Sequence, residues 1–202
     1  YGTYNYKMEV GKSMGLIYGF VNDGFYTVDD FNFDETTKKW TLKPGVPDNS
    51  SFSSGNFSFK PGAMKFKKLS DSDSDLITEE DMTVIGNTNP KVTGGFGLSG
   101  SWKNLDFTAF FNYMCDFDVF NVNKLYLNSA VRRNYSNLST NMNLARRFRY
   151  VDDAGVNVSS DPVALAALNQ NAATYSWMSV TQGITMSDLI EDGSFLRLST
   201  LT

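Results

Sequence analysis

The chain has no histidine and only one cysteine, Cys115. Without histidine, neither a Ser-His-Asp triad nor a Cys-His pair can form within these residues, and a leading zinc ligand is absent. A lone cysteine cannot form a disulfide within the chain. We therefore expect no enzymatic activity, and we interpret Cys115 as a small apolar residue rather than a reactive thiol.

Long apolar runs and an excess of positive charge are also missing. No stretch of about 20 apolar residues occurs, so no membrane-spanning helix is predicted. The formal net charge is −4, from 18 Lys and Arg against 22 Asp and Glu. Nucleic-acid binding requires a basic surface, so no nucleic-acid partner is expected. The arginines within 132–133 and 146–149 are interpreted as solvated loop charges.

Aromatic residues and glycine are abundant, whereas proline is scarce. The sequence contains 16 Phe, 10 Tyr, 3 Trp and 16 Gly, but 5 Pro. Aromatic residues favour strands and glycine disfavours helices, so an all-β fold is predicted. One short helix is expected within 161–171, where Asp161 can cap the N-terminus and Pro162 can occupy the first helical position.

The clearest pattern covers residues 92–120. Every second residue from Val92 to Trp102 is apolar or glycine, and the alternation resumes at Leu105. This period predicts an antiparallel hairpin that turns at Lys103 and Asn104. The two strands, over 92–103 and 105–120, exceed the ~5–6 residues of soluble sheets. They reach the roughly 9–11 residues that a tilted membrane-crossing strand needs.

Two interpretations of this hairpin remain open. In an outer-membrane wall the apolar row would contact lipid, with Trp102 and Tyr113 in the interfacial belts. In a soluble secreted β-sandwich that binds glycans, the same row, including Phe96 and Phe107, would form the core. The alternation is compatible with both.

Outside the hairpin, the sequence mainly predicts turns and loops. Residues 22–24 read Asn-Asp-Gly and predict a tight turn between two β-prone runs. Residues 35–62 are rich in Ser, Pro and Gly and predict a long loop. A final strand is expected to begin near Ser194.

An acidic segment at residues 70–81 is the only candidate metal site. Asp71, Asp73 and Asp75 alternate like the first ligands of an EF-hand loop, and Asp81 stands one residue short of its twelfth position. Leu76 occupies the place where that loop needs glycine. Calcium binding by these four aspartates is one hypothesis, and a solvated acidic loop without a cofactor is the favoured one.

Four segments occur in an order that is similar to a known transporter family. They are residues 10–27, residues 60–66 with 77–96, residues 102–108 and residues 191–202. The stretch 77–96 is the most specific of them. Together the segments resemble the SusC/RagA class of TonB-dependent outer-membrane transporters of the Bacteroidetes.

This resemblance implies an antiparallel transmembrane β-barrel of about 22 strands with long extracellular loops. Residues 1–202 would be an incomplete part of its barrel domain, without the plug domain and without either end of the barrel. The resemblance also implies a bacterial outer-membrane location and contact with lipid. The implied activity is uptake of oligosaccharides or peptides, with a SusD-like surface lipoprotein as partner and TonB acting through the plug.

Overall fold

The computed structural model describes residues 10–52, 59–128, 137–176 and 184–202. These residues form short strands and turns, two much longer strands and two brief helices. The strands are β1 (Leu16–Gly19), β2 (Asn22–Phe25), β3 (Phe31–Asp34), β4 (Lys39–Leu42), β5 (Met64–Phe66), β6 (Thr83–Asn87), β7 (Val92–Trp102), β8 (Leu105–Cys115), β9 (Asp118–Phe120), β10 (Ile190–Asp192) and β11 (Phe195–Leu201). The α-helices are α1 (Val122–Leu127) and α2 (Pro162–Leu168).

The strands pair in one larger sheet and several small ones. The larger sheet has the order β11-β8-β7, and we call it the long sheet. The other pairs are β1-β6, β2-β5, β3-β4 and β9-β10. All of these pairs are antiparallel, so the fold is mainly antiparallel β-structure, as the composition predicts. The described strands form no closed barrel, and the 22-strand assembly stays a prediction.

The predicted hairpin is present, with a different second boundary. Strands β7 and β8 have 11 residues each, and their register runs unbroken from Val92 opposite Cys115 to Trp102 opposite Leu105. The turn includes Lys103, whose φ is 55°. The expectation that the second strand continues to residue 120 is wrong, because Asp116 has a φ of 60° and interrupts it.

The predicted hairpin turn at residues 22–24 is also wrong. Strand β1 pairs with β6 and β2 with β5, so the two neighbouring strands do not pair with each other. The Asn-Asp-Gly sequence instead forms an irregularity within β2. There the Gly24 N–H donates to Asn22 Oδ1 at 2.7 Å, and Gly24 has a φ of 82°. The hydrogen bond and the positive φ that are typical of a tight turn therefore occur inside strand β2.

The stretch predicted as a loop at residues 35–62 contains a strand at its start. Strands β3 and β4 form a short hairpin with unbroken register. The carboxylate of Asp34 accepts hydrogen bonds from the Thr36 N–H at 2.8 Å and the Thr37 hydroxyl at 2.6 Å, and Lys38 has a φ of 54°. These contacts close the turn. Part of the predicted loop, residues 53–58, lies outside the described residues.

The predicted helix within 161–171 is present as α2, and the structure has a second helix that the sequence did not predict. Asp161 caps α2 by accepting from the N–H groups of Val163 and Ala164, each at 3.0 Å. Pro162 is its first residue. A single helix was expected, but α1 is a second one, and Asn121 Oδ1 caps it by accepting from the Lys124 N–H at 3.2 Å. No helix in the described ranges is long and apolar enough to cross a membrane.

The clusters of buried hydrophobic residues in the described structure lie outside the long sheet. The largest cluster joins distant segments, since Phe20 and Met186 both belong to it and the Phe20 N–H donates to the Thr185 carbonyl at 2.9 Å. The members of this cluster are Phe20, Met64, Phe66, Ile77, Met142, Tyr175, Met186 and Leu189. We call the described residues of 10–90 and 117–192 the loop body. The chain passes between it and the long sheet at Val92, Cys115 and Phe195, so the loop body continues from one end of that sheet.

Candidate functional site

One face of the long sheet is almost entirely apolar. Cross-strand partners define this apolar face, which contains Val92, Gly94, Phe96, Leu98, Gly100 and Trp102 of β7; Leu105, Phe107, Ala109, Phe111, Tyr113 and Cys115 of β8; and Leu196, Leu198 and Leu201 of β11. The first two sets are those that the sequence alternation predicts. The third set extends the face onto a strand that lies far away in the sequence.

The apolar face is exposed. Leu98 is 54% exposed and Leu201 is 70% exposed, and in the long sheet only Ala109 is a buried hydrophobic residue among those described. Phe96 and Phe107 are 43% and 49% exposed, so they form no sandwich core in the described structure. A large contiguous apolar surface marks contact with lipid or with another protein.

Aromatic rings of β8 fill the space above glycines of β7. A Cβ atom on Gly94 would lie 2.6 Å from Tyr113 Oη, and one on Gly100 would lie 2.7 Å from the Phe107 ring. Such pairing lets a large ring cover the gap that a glycine leaves in a sheet. The glycines of the alternating pattern therefore belong to the packing of the apolar face.

The opposite face of the long sheet is mainly polar, and we call it the polar face. Its residues on β7 are small or hydroxylic, namely Thr93, Gly95, Gly97, Ser99 and Ser101. Between β8 and β11, Asn112 Nδ2 donates to Ser199 Oγ at 2.7 Å. Phe110 and Met114 are the exposed apolar exceptions, at 41% and 40%. The long sheet is thus amphipathic.

The two ends of the hairpin have different chemistry. At the turn, Lys103 Nζ lies 4.9 Å from the centroid of the Trp102 ring. At the end that joins the loop body, Lys91 Nζ forms an ion pair with Asp116 Oδ2 at 2.6 Å. The predicted belt residues Trp102 and Tyr113 lie toward opposite ends of the apolar face.

Asp81, one of the four predicted calcium ligands, has a structural role. Its side chain is fully buried and accepts hydrogen bonds from the N–H groups of Leu69, Ser70 and Thr78 at 2.8–2.9 Å. Lys68 Nζ lies 3.1 Å away. Burial alone would raise the pKa of this carboxyl, but the hydrogen bonds from Ser70, Thr78 and Leu69 outweigh burial and lower the pKa well below its usual range.

The other three aspartates of the acidic segment are exposed. Asp75 Oδ2 accepts from the Gly45 N–H at 2.8 Å, which ties the segment to a neighbouring loop. Within the described ranges, no group of three or more His, Cys, Asp or Glu side chains is arranged to hold a metal ion. Calcium binding by Asp71, Asp73, Asp75 and Asp81 stays a prediction.

The role of Asp81 could have been found in the sequence. Thr78 and Asp81 are spaced as the first and last members of a capping box, and the structure places that box on the short 3-10 helix Glu79–Asp81. The alternating serines and aspartates before it resemble the start of a metal-binding loop instead. The donors from Leu69 and Ser70, by contrast, have no comparable sequence signal.

Comparison with known proteins provides a match at the level of fold. No known family matches the sequence, and no curated protein matches it. The structure of the RagAB peptide transporter aligns over 98% of this chain and 17% of that chain, with a TM-score of 0.50 and 20% identity. The chain shares its fold with one part of that transporter.

Two further solved structures align over the same extent of the chain. The RagAB peptide importer in the "closed-closed" state has a TM-score of 0.48 and 21% identity, over 98% of this chain and 18% of that chain. The same importer in the "open-open" state has a TM-score of 0.45 and 18% identity, over 98% of this chain and 17% of that chain. This chain therefore spans less than a fifth of the length of the solved chains it matches.

Proposed function

We propose that this chain forms part of the wall of an outer-membrane transporter, with the long sheet in the bilayer. The observation that carries the proposal is the exposed apolar face on paired strands of 11 residues. Ten steps of about 3.3 Å give a strand length of about 33 Å. At a tilt of about 40° this length crosses about 25 Å, which is the height of the apolar band of outer-membrane barrels.

The lengths of the connections between strands predict how the sheet is oriented in the membrane. The β7-β8 turn is short, whereas the residues between β8 and β11 run from 116 to 194. Outer-membrane barrels have short periplasmic turns and longer extracellular loops. In this proposal, Lys103 and Asn104 are therefore periplasmic, and the loop body is extracellular.

The faces of the sheet have separate tasks in this proposal. The apolar face contacts lipid, and the polar face, with Ser99 and Asn112, faces the interior of the barrel. The edge strands β7 and β11 expose unpaired backbone groups, which cannot remain unpaired in lipid. They would pair with further strands of a longer polypeptide that also carries the plug domain.

The transported substrates belong to the same proposal. The sequence resemblance supports oligosaccharides or peptides as cargo, and the likeness in fold to a peptide transporter supports peptides in particular. The extracellular loop body would contact a SusD-like lipoprotein, and TonB would act through the plug. No catalytic step is required, because passage through a gated barrel leaves the cargo chemically unchanged.

A spin-label scan of the full-length protein in bilayers tests the proposal. Labels would be attached at Leu98→Cys and Leu198→Cys on the apolar face and at Ser99→Cys on the polar face, in a Cys115→Ser background. We expect high accessibility to oxygen at the first two positions, because oxygen concentrates in lipid, and low accessibility at the third. Uniformly low accessibility at Leu98 and Leu198 would mean a protein core and would contradict the proposal.

A further inference from the structure

Lys103, in the turn of the β7-β8 hairpin, forms no ion pair with a carboxylate of the described residues. Lys103 is exposed and has a φ of 55°, and its Nζ lies 4.9 Å from the centroid of the Trp102 ring. The nearest acid along β8, Asp106, lies opposite Ser101 on the polar face.

The lysine at the other end of β7 is in a different situation. Lys91 pairs with Asp116 at 2.6 Å, and this hydrogen bond and charge raise the pKa of Lys91. That end of the hairpin therefore neutralises its own cation. Of these two lysines, only Lys103, at the turn, offers its positive charge to an external anion.

The apolar face of the hairpin ends at the turn, beside Lys103. Trp102 is the last residue of β7 and is 70% exposed, and its cross-strand partner Leu105 is 65% exposed. An indole at the edge of an apolar surface prefers the level of the lipid head groups. A lysine can lay its methylene chain along such a surface and hold its ammonium among the head groups.

We propose that Lys103, held against Trp102, binds the phosphate of a phospholipid head group at the periplasmic boundary of the membrane. The proposal rests on the proposed function, since it needs the apolar face to be in lipid. The ammonium group supplies the charge that complements the phosphate. The indole fixes the depth at which this charge lies, because its ring prefers the level of the lipid head groups.

The test measures the binding of short-chain phosphatidylglycerol to the detergent-solubilised full-length protein. We expect Lys103→Gln to weaken binding about fivefold, as is typical for one basic residue at an anionic lipid surface. Lys103→Arg keeps the charge and should restore the affinity. Lys91→Gln is the matched control, and we expect it to leave the affinity unchanged because Lys91 already has a partner.

Two further measurements identify the ligand and the depth. Inorganic phosphate should not compete at millimolar concentration, and full competition would mean a general anion site rather than a lipid contact. A spin label at Asn104→Cys should report the depth of the head-group layer. Equal affinities of Lys103→Gln and the unmodified protein would overturn the inference. If labels at Leu98→Cys are accessible to oxygen in that case, the proposed function survives; if they are not, both fail.

Discussion

Leu201 lies directly opposite Ala109 in the ladder between β11 and β8, on the apolar face of the long sheet. Strict alternation from Leu198 would place it on the polar face, since the two leucines are three residues apart. The register shifts between Leu198 and Thr200, and such a bulge puts two residues of one strand opposite one of its partner. The extra residue, Ser199, thus returns Leu201 to the apolar face.

Deletion of Ser199 is expected to leave Leu201 on the apolar face, because it removes the extra residue and places Leu201 two positions after Leu198, which restores a period of two. A spin label at Leu201→Cys should then keep its high accessibility to oxygen in bilayers. A label at Leu196→Cys, before the bulge, is the control and should also keep its accessibility. Loss of accessibility at Leu201→Cys alone would show that Ser199 is not the extra residue of the bulge.

Leu98→Lys is expected to destabilise the membrane-inserted protein by about 2–4 kcal/mol, the cost of a basic side chain near the bilayer midplane. Ser99→Lys, on the polar face of the same strand, should cost much less because its charge faces away from lipid. Unfolding from bilayers by guanidinium measures both free energies. Equal costs at the two positions would contradict the assignment of faces.

Gly95→Ala is expected to destabilise the long sheet by about 1–3 kcal/mol. A Cβ at Gly95 would lie 2.9 Å from the Phe111 carbonyl oxygen, which is a backbone atom and cannot rotate away. At Gly97 the nearest atom is Phe110 Cδ2, at 3.4 Å. Gly97→Ala should therefore be neutral or stabilise the fold slightly. The temperature at which the folded band disappears in electrophoresis compares the variants, and a reversed order would refute the prediction.

Asp81→Asn is expected to destabilise the loop body by about 2–4 kcal/mol, because it replaces one buried acceptor oxygen with an NH2 group and removes the negative charge that faces Lys68. Hydrogen exchange of the Leu69 and Thr78 amides measures this loss. Asp73→Asn, at an exposed position, is the control and should change stability by less than about 0.5 kcal/mol. The loss should be the same in calcium and in EDTA. A loss seen only with calcium would favour the metal-site hypothesis.

The lowered pKa of Asp81 also predicts a pH dependence. A carboxyl whose pKa is lower in the folded than in the unfolded state stabilises the fold fully above the unfolded pKa of about 3.9. That stabilisation is lost as the pH falls through this value toward the folded pKa. The difference in unfolding free energy between the unmodified protein and Asp81→Asn should therefore shrink below about pH 5. A constant difference from pH 6 to pH 2 would contradict this role for Asp81.

Features governed by near neighbours could be predicted from the sequence. The amphipathic hairpin and its turn at Lys103 follow from residues that are adjacent or two apart. The cap of α2 at Asp161 depends on the next few residues. The predicted turn at residues 22–24 failed for the opposite reason: the local Asn-Gly chemistry is present, but β1 and β2 each find a better partner elsewhere in the chain.

The environment of Asp81 illustrates the same limit at the level of a site. Spacing along the chain groups this residue with Asp71, Asp73 and Asp75, whereas in the folded chain its carboxylate accepts hydrogen bonds from the N–H groups of Leu69 and Ser70. Those residues are 11 and 12 positions away. Only the folded chain brings them beside the carboxylate.

The sequence by itself determined that residues 92–115 have one apolar and one polar face, because side chains alternate along an extended strand whatever lies beside it. Tertiary structure decided that this apolar face is left exposed and that Leu201 belongs to it. Both depend on contacts between distant parts of the chain: the loop body buries its own core away from the long sheet, and the register of β11 is set by its pairing with β8.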